Sequence, residues 1–474
     1  FPICMMKYPN INIVTDRTGW NASNSMIFMN AKVGGSHGHR DTLALLFNYK
    51  GRQLLTDTGT TSYDLSNSQY SWQNLQTKSH NTIEINGTSQ NFDNEIIVNE
   101  SNINISGNSN LSNIKSSTTA TNGFTHYRNV LYAKSLGEFL IVFDYVKPDN
   151  QTTSNTYTQN WHTEPGTNST IENNQYKTGK TSYDTGSNLI IAQANTTGMT
   201  AIINSGYDAS QPATTTKYFT YQKKGVGNTY YQTVLYPVNE GANTSIINVA
   251  PVNLVCSNIA SAIRIDIDDS NNPNKMVYAY SAYSSPVLYS FKDSSKNRTI
   301  STDAEHAVLS YNANSKVRMA YLSNGKQMII SNENLLISSD IQLTDLSVTI
   351  NGQILEIISS DSNVSSLKAV MTINLNNQIV KSVKINGVSL SNNSYQQLNG
   401  VVTIKSNGYT KDYLLGDVNA DGVISSLDYI MIRRHLMGNI TLNSSQKKYA
   451  DMNGDNKISA LDYIAIKNII MGGY

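Results

Sequence analysis

At 474 residues the chain is too long for one ordinary domain, so roughly two to four units with a sizeable total core are expected. A formal net charge of +1, with only 15% Asp, Glu, Lys and Arg, leaves no broad field to draw in nucleic acid or an anionic membrane surface. No run approaches the roughly eighteen apolar residues of a membrane span, and two cysteines, Cys4 and Cys256, set no disulfide framework.

The 29 tyrosines, the abundance of Ser, Thr and Asn, and the scarcity of helical periodicity before about residue 410 predict a mainly β protein. Such compositions correlate with secreted carbohydrate-active proteins. The chain starts at Phe1 with neither an initiator Met nor a charged-then-apolar leader, which predicts a gene product that begins further upstream.

Residues 1–251 alternate apolar and polar side chains in short runs such as NTIEING and SNLIIAQANT, the pattern of a large antiparallel β-sandwich. Within it, GEFLIVFDYVKP is continuously apolar, which predicts a strand buried on both faces and therefore stacked sheets. Near the start lies GGSHGHRDTLALLFNYKGRQLLTDTG. His37 and His39 are two apart, so on an extended segment they share a face. His39, Asp57 and His80 offer two nitrogens and one oxygen, a donor set suited to one zinc ion with an open fourth position.

Hairpin arithmetic complicates that grouping. With Lys50 and Gly51 as the turn, Asp57 falls opposite Ala44, roughly 16 Å along the strand from His39. The chain must double back, for which Gly34, Gly35 and Gly38 supply freedom. These residues alone leave open a metal site or a polar glycine loop. Arg40 and Asp41 read as loop anchors, and Trp161 and His162 either line the cleft or pack in the sandwich, the second being the commoner case.

Residues 252–411 carry shorter β runs, such as MVYAYSAY and KQMIISNENLLISS, expected to form either a further β-sheet region on the outside of the same sandwich or a second β-domain, the second being favoured. From 412 to 474 the character changes to a small helical module. LLGDVNADGVISSLDYIMIRRHLMG is followed by YADMNGDNKISALDYIAIKNIIMGG, an internal repeat. Oxygen donors recur at loop positions one, three, five, nine and twelve. They are Asp417, Asn419, Asp421, Ser425 and Asp428, then Asp451, Asn453, Asp455, Ser459 and Asp462. The carbonyls of Val423 and Lys457 stand at position seven. This spacing wraps a calcium ion in each loop. Gly422 sits at the sharp turn of the first loop, and Asn456 replaces it in the second. A helix follows each loop, with no evident helix before either.

The duplicated loop-then-helix unit resembles the dockerin module of cellulosomal enzymes. That resemblance implies two calcium ions, a cohesin domain of a scaffoldin as partner, and an extracellular, secreted location on the cellulosome. Dockerin residues at loop positions ten and eleven face the cohesin; here they are Ser426, Leu427, Ala460 and Leu461.

The ordered series GGSHGHRD, GRQLLTDTG, SHNTIEING, RNVLYAKSLGEFLIVFDYV and NWHTEPG resembles the β-sandwich half of heparinase II/III-type polysaccharide lyases. The resemblance implies zinc on His39, Asp57 and His80, and a substrate-facing catalytic role for His37. The implied reaction is β-elimination in a uronic-acid polysaccharide. In that family an α/α toroid precedes the sandwich and contributes a catalytic tyrosine. This chain has no comparable helical region before Tyr413, and neither Tyr63 nor Tyr70 is assigned that role. The expectation is therefore a C-terminal portion of a lyase. The alternative is a non-catalytic carbohydrate-binding β-sandwich carried by its dockerin.

Overall fold

The computed structural model describes the chain except residues 1–4, 9–10, 33–37, 92–102, 241–245, 255–259, 270–271, 284–287, 392, 405–415, 420–423, 454 and 471–474. Two compact units are present, Phe1–Ser406 and Asn407–Tyr474. His37, Asp421, Val423, Gly422, Cys4 and Cys256 lie outside the described residues.

The first unit is built from antiparallel sheets. Its spine is an eight-stranded sheet in which Phe139–Pro148 lies between Phe124–Ala133 and Thr229–Val238. Because side chains alternate across a strand, odd and even residues of the apolar run separate into two cores. Leu140, Val142 and Val146 join one core; Phe139, Ile141, Phe143 and Tyr145 join another. The same division holds for Val130 and Tyr132 against Leu131 and Ala133.

On the first side lie two smaller sheets. One has five strands running from Met6–Tyr8 to Arg52–Leu55. The other pairs Met199–Gly206, Thr216–Val226, Ser154–His162 and Ile83–Ile85. On the second side lie strands from the region beyond residue 246, including Ala260–Asp268 and Met276–Ala282. Those strands divide in turn: Ile263 and Ile265 face the spine, whereas Ala260 and Ala262 face a further core shared with Leu335, Ile373 and Val402.

The sandwich is thus thicker than two stacked sheets. A continuously apolar strand needs a layer on each side, and strands beyond residue 246 supply one of those layers within the first unit. Among the described residues, pairing is antiparallel apart from Ile354–Ile358 beside Ser382–Ile385.

The second unit holds helices Ser426–Leu436, Ser444–Ala450 and Ala460–Ile470 around Val418, Ile432, Leu442, Ala450 and Ile466. Tyr429 and Tyr463, at matching places in the two repeats, stack with centroids 4.4 Å apart. Ser444–Ala450 corrects the expectation that no helix enters the loops, since it leads directly into Asp451. It is too short, and too poor in apolar residues, to register as a periodic pattern. Instead Asn443 and Gln446 define it through a reciprocal capping box. No helix among the described residues is long and apolar enough to cross a membrane.

Candidate metal centres

The hairpin that carries Asp57 turns at Lys50 (φ 48°) and Gly51 (φ 92°), the left-handed pair that matches strand twist. Its register is not the simple one. A bulge sets Leu55 opposite Phe47 while Gln53 faces Asn48, and Leu54 and Leu55 are both buried. Continued past Leu55, the bulged register would set Asp57 beside Leu45, one residue farther from His39 than simple counting gives, so the bulge does not bring the two together. The described reversal before this hairpin sits at Leu43 (φ 65°), where Ala44 N–H donates to Asp41 O at 2.8 Å. Of the three glycines expected to provide it, Gly34 and Gly35 lie outside the described residues.

His39, Asp57 and His80 nevertheless converge, with one donor atom from each within 4.8 Å of the others. His80 Nδ1 is 3.3 Å from Asp57 Oδ2, His39 Nδ1 is 3.9 Å from Asp57 Oδ1, and the two rings lie 5.1 Å apart. The His80 side chain is fully buried, His39 is 15% exposed and Asp57 is 33% exposed, so the cluster opens to solvent on the Asp57 side. Neither ring nitrogen of His80 makes an aligned hydrogen bond. Buried polar atoms are ordinarily satisfied, and a fully buried imidazole with no aligned hydrogen bond at either nitrogen, set beside a carboxylate and a second imidazole, fits the donor set of a metal ion.

Electrostatics agree. Burial pushes the Asp57 carboxyl up, but the adjacent His80 and His39 imidazoles outweigh it and hold the group well below the usual carboxylate range. Burial also disfavours charge on His80, yet Asp57 raises its pKa above the ordinary value. Burial and the neighbouring His80 lower that of His39.

Sequence reasoning missed the framework around these ligands. Arg128, fully buried, donates through Nη1 to Leu43 O (2.7 Å) and Asn81 O (2.6 Å), thereby joining the two loops that carry His39 and His80. Its Nε and Nη2 bind Asp144 at 2.7 and 3.0 Å. Arg128 and Asp144 are direct cross-strand partners. The available signal was a single anion, Asp144, inside the apolar run Phe139–Val146, with Arg128 on the strand before it. Asn81 adds a second clasp, donating to Leu45 O and Thr56 O at 2.9 Å each and accepting from His162 N–H at 2.5 Å.

Arg40 and Asp41 anchor the loop as expected: an Arg40 Nη1–H donates to Gln90 O, and Asn30 Nδ2 donates to Asp41 Oδ2 at 2.8 Å. Trp161 and His162 are buried packing residues. His162 stacks on Tyr218 at 4.4 Å, and burial lowers its pKa to about 3. Tyr63 is 71% exposed on the loop between Asp57 and His80.

In the second unit, Asp428 and Asp462 are fully buried, and Asp417 and Asp451 are nearly so. Asp428 accepts from Asn419 N–H (2.9 Å) and Ser425 N–H (2.8 Å), and Asp462 accepts from Met452 N–H and Ser459 N–H (both 2.7 Å). Position twelve thereby closes each loop onto its following helix. Asp451 accepts from Asp455 N–H at 3.1 Å and Asn456 N–H at 2.7 Å, with Asn456 left-handed (φ 60°) as expected. The Asn453 side chain donates to Asp455 Oδ2 at 3.0 Å. Ser426, Leu427, Ala460 and Leu461 are exposed, the two leucines at 57% and 63%.

Comparison with known proteins bears on both units. The family model for the heparinase II/III-like C-terminal domain matches residues 6–247, and that for the type I dockerin domain matches 415–471. Solved structures of similar fold include the heparan sulfate lyase HepC from Pedobacter heparinus, at 17% identity and TM-score 0.50, with 60% of this chain and 43% of that chain covered. A heparinase III is matched at 16% identity and TM-score 0.49, with the same coverage. The chain therefore spans less than half the length of these lyases. No curated protein matches. With half the chain matched and the sheets of its first unit in place, the chain belongs to the heparinase II/III-like C-terminal family and ends in a type I dockerin domain.

Proposed function

We propose that this chain is the β-sandwich portion of a secreted, cellulosome-anchored polysaccharide lyase that cleaves a uronic-acid polysaccharide by β-elimination. The observation that carries the reading is the convergence of His39, Asp57 and His80 inside the region that matches the family. Those three residues would hold one zinc ion, which would organise the loop that bears them. In β-elimination the C5 proton, acidified by the neighbouring carboxylate, is removed and the 4-linked sugar leaves. Imidazole titrates near neutral pH, so His37, two residues from a ligand, is suited to move a proton in that step.

The dockerin domain would bind two calcium ions through the side chains of Asp417, Asn419, Asp421, Ser425 and Asp428, then Asp451, Asn453, Asp455, Ser459 and Asp462, with the Val423 and Lys457 carbonyls. Leu427 and Leu461, exposed at matching places of the repeat, would contact a cohesin.

The test is ultraviolet absorbance of unsaturated uronate ends released from alginate, heparan sulfate and related polymers by the gene product that carries this chain. Turnover abolished by His37→Ala is expected, and unchanged turnover would remove His37 from the reaction. Glycan binding without any absorbance would favour a carbohydrate-binding module instead.

A further inference from the structure

Of the three converging side chains, His39 is the one whose second ring nitrogen meets an oriented chain of hydrogen bonds. Nε2 lies 3.0 Å from Thr60 Oγ1. Thr60 Oγ1 lies 2.8 Å from Asn74 Oδ1, and Asn74 Nδ2 lies 3.1 Å from the backbone carbonyl of Tyr70.

The direction of this chain follows from its fixed end. A backbone carbonyl only accepts, so the Asn74 amide nitrogen faces Tyr70 and its oxygen faces Thr60. That oxygen also only accepts, so the Thr60 hydroxyl donates its single proton to it. Thr60 is left able only to accept from His39, which requires the proton of a neutral His39 imidazole to sit on Nε2. The lone pair then falls on Nδ1, the nitrogen 3.9 Å from Asp57 and directed at the cluster.

The relay is held firmly at its far end. Asn74 is 5% exposed on helix Ser68–Leu75, which Asn67 caps by accepting from Gln69 N–H and Tyr70 N–H. On the same helix, fully buried Gln73 donates to Thr58 O and accepts from Thr61 N–H, both at 2.9 Å. Gln73 thus pins the backbone on either side of Thr60.

We propose that Thr60 and Asn74 are positioning residues that lock His39 as the Nε2–H tautomer, presenting Nδ1 as the metal donor. The metal-binding part rests on the zinc reading of the site; the tautomer part does not.

Long-range ¹⁵N NMR of the zinc-free protein should show His39 with a protonated Nε2 and a bare Nδ1. Thr60→Val, which keeps nearly the same shape without the hydroxyl, should yield a mixture of tautomers. It should also weaken zinc binding about 10- to 100-fold in chelator competition. Thr60→Ser, which restores the hydroxyl, should return both readouts to near wild type. A wild-type His39 protonated on Nδ1, or a Thr60→Val protein with wild-type zinc affinity, would overturn the proposal. If wild type and His39→Ala alike bind no zinc, the zinc reading fails while the NMR result still decides the relay.

Discussion

The two candidate metal centres obtain their geometry in opposite ways. In the sandwich, donors distant in sequence are brought together by groups that are not donors: Arg128 ties the loops of His39 and His80, and Asn81 ties in the backbone beside Asp57. In the dockerin domain nearly all donors lie within two short loops, and the contacts that shape each loop are made by the donors themselves, such as Asp451 on Asn456 and Asp462 on Ser459. The first site is expected to be built by a fold that stands without metal. The second gathers like charges that a bound cation would offset, and metal binding and folding are expected to be coupled there.

The largest effect should come from chelation. Removing calcium with EGTA should abolish the far-UV helical signal of the dockerin domain and leave the β signal of the sandwich unchanged. Simultaneous loss of both would break the contrast.

Next in size is Arg128→Met, which leaves Asp144 buried without its principal partner and frees two loops at once. A destabilisation of about 3–5 kcal/mol is expected for the sandwich in urea unfolding, with the calcium-dependent transition unmoved. A change under 1 kcal/mol would mean that the clamp is not what holds the loops.

A smaller effect concerns acid. His306 is fully buried, and burial lowers its pKa to about 4. Below the unfolded value near 6.5 the unfolded chain takes up a proton that the folded one does not. Stability therefore falls as pH drops from about 6.5 towards 4, and levels off for this group below that. His306→Gln should flatten the slope of sandwich stability over that window. An unaltered slope would show that His306 does not titrate in this way.

How much of this was legible depends on the range over which each feature is written. The calcium loops are local: donor type, spacing and the left-handed Asn456 all fall within a dozen residues, so the repeat could be read directly. The short helix Ser444–Ala450 escaped because its signature is a cap, not a period. The β character and the doubly buried strand Phe139–Pro148 were visible in the apolar pattern, but the source of the layer on its second face was not, because nothing local in residues 260–321 specifies which sheet they cover.

The ligands His39, Asp57 and His80 were recognisable by type and order. Their convergence was not, because it rests on the chain reversal at Leu43 and on long-range hydrogen bonds of Arg128 and Asn81 that no strand counting reveals. Thr60 and Asn74 carried no signal at all: a threonine and an asparagine in a polar loop and a short helix acquire meaning only through the direction of their hydrogen bonds.

The most direct test of the central claim is zinc stoichiometry and affinity in the intact chain and in His39→Ala, each checked for unchanged thermal unfolding after zinc is stripped. The account predicts about one zinc per wild-type chain, lost or greatly weakened in His39→Ala, with both proteins still folded when stripped. Equal zinc in the two proteins would remove His39 from the site, and a sandwich that unfolds when its zinc is stripped would contradict a centre built in advance by the fold.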